Sequence, residues 1–348
     1  SNDHGWSELW VYDSGSSEFA NLPLAQPGVV DSVAWSRDGT ELFYDLSSAE
    51  TGTEVFAIDP TTGVSRVVTQ NPTPMPGSSH SPERGSYLAE DGLSVEYWDY
   101  APEGPVRGTI LSVHGGPEGQ ARPGFSPMTA FLVGEGFRVL LPNVRGSLGY
   151  GRTFLHLDDV RLRMNSVRDL RDLALQIIPG DRPNGRPSTL LGVIGGSYGG
   201  FMVLSAISTY PDLWGAAVDV VGIANFVTFL ERTGPWRRKV REDEYGSLEH
   251  DRAFLESISP LHHVDEIRTP LLVVHGANDP RVPIYEAEQI VAALQRRGVP
   301  VEFLRFEDEG HGLVRLPNQV VAFTKAVEFF ERHLSARSDV SAPPTRPA

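Results

Sequence analysis

The sequence contains no cysteine. That absence excludes a disulfide framework, a thiolate zinc or iron–sulfur site and a cysteine nucleophile, so any covalent chemistry must use another side chain. Positive charge is also scarce: 30 Lys plus Arg against 45 Asp plus Glu give a formal net charge of −15. A chain of that sign repels polyanions, and nucleic acid is not an expected partner. No apolar run approaches the roughly 20 residues that a spanning helix needs. The most hydrophobic stretch, residues 216–230, is interrupted by Asp219, Asn225 and Thr228, so no membrane span is expected. The histidines scatter, and His262-His263 lacks the i, i+4 spacing and the glutamate of a helical zinc motif. No metal and no cofactor is implied.

What is present is 348 residues, room for roughly two domains at about 150 residues each. Residues 1–70 read as β-hairpins, with short β-branched and aromatic runs at 8–13, 32–36, 41–45 and 53–59 separated by turn-formers such as Asp38-Gly39 and Thr62-Gly63. Four prolines between Asn71 and Gly85 then predict a linker over 71–90. Beyond it, continuous apolar runs at 109–113, 137–141, 190–194, 216–221, 271–274 and 301–304 alternate with helical stripes. One stripe starts at Ser166 as N-cap and ends at Pro179-Gly180, a second runs from about Ile284 to Gly298, and a third covers Val320 to Leu334. Strands alternating with helices predict a mostly parallel sheet covered on both faces, over 91–337, followed by a disordered tail at 338–348.

The sharpest chemical signal is Gly195-Gly196-Ser197-Tyr198-Gly199, a G-x-S-x-G sequence between an apolar strand and a helix. A serine at such a turn needs strained dihedrals, and the flanking glycines leave room for the bend. A hydroxyl is a weak nucleophile until a base takes its proton, so the elbow calls for a carboxylate and a histidine further on. Asp279 follows the strand at 271–274, and His311 follows the strand at 301–304. Asp308 competes as the orienter of His311, but it lacks a separate post-strand loop. For the oxyanion, the N–H of Tyr198 and a glycine amide of His114-Gly115-Gly116-Pro117 are the available donors, with Gly116 preferred over Gly115.

Together with Pro142-Asn143-Val144-Arg145-Gly146-Ser147-Leu148-Gly149-Tyr150-Gly151 and Asn278-Asp279-Pro280-Arg281-Val282-Pro283, these motifs closely resemble the catalytic domain of the prolyl oligopeptidase family of serine peptidases, in particular its acylaminoacyl-peptidase-like branch. The resemblance covers about Val106 to Leu334. It implies an α/β-hydrolase fold carrying a small N-terminal all-β segment, with Ser197 as nucleophile, Asp279 as orienter and His311 as base, and Arg281 as a side chain that holds a substrate carbonyl. Residues 32–58 resemble the last blade of the propeller that usually caps members of this family, yet residues 1–70 are too few to close a ring.

Three readings of function follow. The first is a hydrolase of short peptides or acyl-amino acids, the second a carboxylesterase using the same residues, and the third a binding module that keeps the fold without turnover. Phe226, Phe229 and Trp236 are the expected lining of an apolar acyl pocket. The mixed-sign run Arg237–Glu244 reads as a solvated helix face. Unpaired strands in residues 1–70 predict that Trp10, Trp35 and Phe43 are buried, either on the hydrolase domain or in a homo-oligomer formed through this segment.

Overall fold

The computed structural model describes residues 1–69, 81–177 and 190–334. The Pro-rich part of the linker, Pro179-Gly180 and the tail at 338–348 lie outside these residues. The N-terminal segment forms a hairpin of β1 (Asn2–Asp3) and β2 (Trp6–Ser7), a second of β3 (Leu9–Asp13) and β4 (Glu18–Leu22), and a four-stranded antiparallel sheet of β5 (Val33–Trp35), β6 (Leu42–Ser48), β7 (Gly52–Ile58) and β8 (Ser65–Val67).

Its small core holds Leu9, Leu22, Leu42, Tyr44, Leu46, Phe56 and Ile58. Strand alternation sends Leu42, Tyr44 and Leu46 inward, and Phe43 is therefore only partly buried. Trp10 on β3 and Trp35 on the short edge strand β5 remain 47% and 52% exposed, contrary to the expected burial, because no other element among the described residues covers those faces. The segment docks through other residues. Trp6 packs edge-on to Trp98 with ring centroids 5.3 Å apart, and Arg122 donates to Gly5 O at 2.9 Å and Ser7 Oγ at 2.8 Å.

The second sheet has eight strands in the order β16-β15-β14-β13-β11-β12-β10-β9. Six are parallel neighbours: β11 (Gly108–Val113), β12 (Phe137–Pro142), β13 (Leu191–Gly196), β14 (Ala216–Val220), β15 (Leu271–Gly276) and β16 (Val301–Phe306). β10 (Ser94–Tyr100) pairs antiparallel with β12, and β9 (Glu83–Leu88) pairs antiparallel with β10. The expected linker is therefore too long at its C-terminal end, since 83–88 is an edge strand of this sheet. Its polar look hides a packing reason: Gly85 sits opposite Tyr97, and a Cβ there would lie 2.3 Å from that ring.

Alternate residues of the central strands enter opposite cores. Leu111, Leu140, Val193 and Val273 pack on one face with Val167 and Leu170 of α3 (Met164–Ile177), Met202 of α4 (Tyr198–Thr209) and Ile290 of α8 (Tyr285–Arg297). Ile110, Val139, Ile194 and Val274 pack on the other with Leu132 of α1 (Pro127–Gly134) and Val327 and Phe330 of α9 (Leu316–His333). This two-sided burial is what continuous apolar strands produce. Ser166 does not cap α3 but sits inside it, its hydroxyl donating to Arg163 O at 2.8 Å. Helices α2 (Arg152–Leu155), α5 (Phe226–Arg232), α6 (Pro235–Tyr245) and α7 (Arg252–Ile258) lie in the connections between strands. Among the described residues no helix is long and apolar enough to cross a membrane.

Candidate active site

Ser197 alone separates β13 from α4, at φ 59° and ψ −119°. A non-glycine residue with positive φ costs on the order of 1–3 kcal/mol and persists only when its surroundings over-determine it. Here they do. The Ser197 N–H donates to Val220 O at 2.9 Å, while the turn closes so tightly that a Cβ on Gly195 would lie 2.4 Å from Gly199 O and one on Gly199 would lie 2.3 Å from Val113 O.

The loop after β11 runs against this turn. A Cβ on Gly115 would meet Gly196 O at 2.9 Å and Ser197 Cβ at 3.4 Å, and Gly116 adopts φ +145°. His114 fixes the loop by contacts to Gly115 O at 2.9 Å and Ser147 Oγ at 2.8 Å, and burial holds its pKa below the ordinary value, which favours the neutral ring.

Two other loops at the carboxyl ends of the strands bring Asp279 to His311. Asp279 Oδ2 lies 2.7 Å from His311 Nδ1, and its Oδ1 accepts the N–H groups of Arg281 at 2.7 Å and Val282 at 3.0 Å. The Asp279 side chain is fully buried and His311 is largely so. His275 lies behind, 3.6 Å from Asp279 Oδ2; burial is the main cause of its lowered pKa. Asp308 is directed elsewhere, accepting from Asn318 at 3.0 Å and pairing with Arg315 at 3.1 Å. Ser197, Asp279 and His311 thus follow β13, β15 and β16 at one edge of the sheet, where α/β folds place their ligands.

Sequence reasoning missed what lies behind Tyr198. Its buried hydroxyl meets Asp158 Oδ2 at 3.0 Å, Arg163 Nη1 at 3.1 Å and Ser166 Oγ at 2.9 Å. Arg163 is completely buried, pairs with both Asp158 and Glu244, and lies over the rings of Tyr198 and Tyr245 at 5.1 and 5.0 Å. Burial pushes Asp158 up to about 6 and Glu244 up to about 7 against the pull of that guanidinium. Nothing local in the run Leu157–Arg163 marks it as interior. The Arg237–Glu244 run is α6, but its end carries Glu244 into this cluster and is not purely a solvated face.

The three expected pocket aromatics do not come together as a pocket. Phe226 and Phe229 are sealed in the core with Phe201 and Tyr245, at ring separations of 4.7 Å for Phe201–Phe226 and 4.8 Å for Phe226–Tyr245. Trp236, at the start of α6, is 79% exposed. Apolar side chains in helix α5 gain more by packing on the sheet than by lining a wet cleft. Phe226→Ala should therefore lower unfolding free energy by about 3–5 kcal/mol and leave the ranking of substrates unchanged. A denaturant titration beside a substrate panel tests this, and a changed ranking at unchanged stability would return Phe226 to the pocket.

A second buried acid touches the elbow from below. Asp219 on β14 has no exposed surface and no hydrogen-bond partner for either oxygen, and its Oδ1 would lie 2.3 Å from a Cβ on Gly200. Burial raises its pKa from 3.8 to about 7, although the nearby Gly222 amide, short of hydrogen-bond geometry, pulls the other way. An acid whose value is higher folded than unfolded binds a proton on folding, so its contribution to stability falls as pH rises from about 4 to about 7. Asp219→Asn should flatten that part of the stability–pH curve. Denaturant midpoints measured across this range decide the matter, and an unaltered slope would show that Asp219 is ionised in the folded chain.

Comparison with known proteins agrees with this architecture. The chain is 32% identical over 292 residues to dipeptidyl aminopeptidase BIII of Pseudoxanthomonas mexicana, covering 82% of this chain and 41% of that one. It is 28% identical over 272 residues to acylamino-acid-releasing enzyme 1 of Oryza sativa subsp. japonica, covering 75% and 34%. The chain thus spans less than half the length of these relatives. A Mycobacterium tuberculosis puromycin-hydrolyzing peptidase superposes with a TM-score of 0.83 at 25% identity, over 94% of this chain and 50% of that one. The prolyl oligopeptidase family description matches residues 123–337, more than half of the sequence, and the chain belongs to that family.

Proposed function

We propose that the chain is a serine hydrolase that cleaves short peptides or acyl-amino acids through an acyl-enzyme. The observation that carries this reading is the 2.7 Å contact of His311 Nδ1 with the buried Asp279 carboxylate, at the same sheet edge as the strained Ser197. With Nδ1 engaged by Asp279, the Nε2 of His311 is free to take the Ser197 proton. The serine oxygen then attacks the scissile carbonyl. The N–H groups of Tyr198 and Gly116 receive the developing oxyanion, and the tetrahedral adduct collapses as His311 returns the proton to the leaving group. His311 then takes a proton from the water that attacks the acyl-enzyme carbonyl, and the second adduct collapses by breaking the bond to Ser197 Oγ, which regains the proton as the carboxylic acid leaves. Arg281, exposed beside Asp279, would hold a substrate carbonyl on the acyl side. No metal or cofactor takes part in these steps.

Relatives named as dipeptidyl and acylamino-acid peptidases support amide substrates for this chain. The test is covalent labelling by a fluorophosphonate, together with a panel of nitrophenyl esters, acyl-amino-acid anilides and peptidyl anilides ranked by kcat/KM. Stoichiometric labelling that vanishes in Ser197→Ala, with anilides turned over, is the expected outcome. Turnover of esters alone would make the chain a carboxylesterase, and absence of labelling would make it a binding module.

A further inference from the structure

Three guanidinium groups gather at this site. Arg237 and Arg241 stand four residues apart on α6 and so share a face. Arg241 Nη1 lies 3.4 Å from Gly116 O, on the glycine loop that runs beside Ser197. Arg281 follows Asp279 by two residues, its amide fixed by that carboxylate. The three feel one another: burial, then the charges of Arg241 and Arg281, hold Arg237 below the ordinary arginine value. Arg237 Nε is buried without a hydrogen-bond partner.

Among the described residues none of the three forms an ion pair, and two of the neighbouring acids are committed elsewhere. Asp279 serves His311 and two amides, and Glu244 serves Arg163. Like charges packed together, with one donor buried and unmatched, are unfavourable unless an anion joins them. A planar carboxylate is the natural complement of such donors.

We infer that the site selects acyl groups that carry a free carboxylate, received on the face of α6 that bears Arg237 and Arg241, the latter at the glycine loop. This rests on the hydrolase reading above, with Arg281 holding the acyl-side carbonyl. The overall charge of −15 sets the rest of the surface against such substrates, so their preference must come from this local cluster.

The experiment compares succinyl-alanine nitroanilide, whose acyl group ends in a carboxylate, with the neutral acetyl-alanine nitroanilide. The expected result is a kcat/KM for the succinyl substrate about tenfold higher at low salt, the advantage shrinking as ionic strength rises toward about 0.5 M. Arg237→Gln should bring the succinyl-to-acetyl ratio close to one, and Arg237→Lys should retain part of it; a purely structural Arg237 would lower both rates and leave the ratio intact. A wild-type ratio of one or less, or an unchanged ratio in Arg237→Gln, overturns the inference while acetyl turnover keeps the hydrolase reading. Loss of turnover on both substrates together with absent fluorophosphonate labelling overturns both.

Discussion

Ser197→Ala and His311→Ala should each lower kcat by a factor on the order of 10⁶, and combining them should cost little more, because the two side chains act as one unit. The geometry also predicts a graded third member. Asp279→Asn keeps the shape of the loop but presents an amide to His311 Nδ1, which favours the wrong tautomer and should cost about 10⁴ in kcat. Asp308→Asn should leave kcat near wild type, since that carboxylate is held by Asn318 and Arg315. Steady-state kinetics on one anilide with the four single variants and the double variant are sufficient. Full activity in Asp279→Asn, with loss in Asp308→Asn, would move the orienting role to Asp308.

The second large effect is on stability. Arg163→Met should cost about 3–5 kcal/mol, because it strips the shared counter-ion from Asp158 and Glu244 and leaves two acids and the Tyr198 hydroxyl crowded in the interior. Adding Asp158→Asn and Glu244→Gln to Arg163→Met should recover a substantial part, since the penalty lies in the uncompensated charges more than in lost attraction. Urea unfolding of the single and triple variants reads both numbers. A single variant within about 1 kcal/mol of wild type would mean that the two acids are already neutral in the folded chain.

The contrast between these two predictions marks what the sequence makes legible. Ser197 and its glycines stand out because the turn is strained and a Cβ on Gly195 or Gly199 would lie 2.3–2.4 Å from a backbone oxygen, so the constraint is written locally. Asp279 and His311 stand out because each follows an apolar strand, and strand ends are where an open sheet offers its chemistry. Arg163 does not, because its burial is created by partners far along the chain: Tyr198 in the helix after the elbow and Glu244 at the end of α6. The same applies to β9, where Gly85 makes sense only once Tyr97 is known to lie across from it. Phe226 and Phe229 mislead for the opposite reason, since an apolar side chain near a site in sequence suits a core as well as a cleft. Trp10 and Trp35 are expected inside because unpaired strands are usually covered, but among the described residues no layer covers these two.

The position of β16 has a consequence for how activity is lost. Among the described residues β16 is the outermost strand of its sheet, hydrogen-bonded only to β15, and the loop that presents His311 leaves from its end. Ser197 leaves from β13, which is hydrogen-bonded on both sides, and its turn is tied to the end of β14 as well. Free energies of local opening are lowest where fewest bonds must break, so amide exchange along β16 should outpace that along β13. An excursion of that edge carries His311, the proposed base, away while the Ser197 turn stays folded. The working lifetime of the site is therefore governed by fraying at one margin of the sheet, and reinforcing β16 against β15 would prolong activity even where the global melting temperature hardly moves.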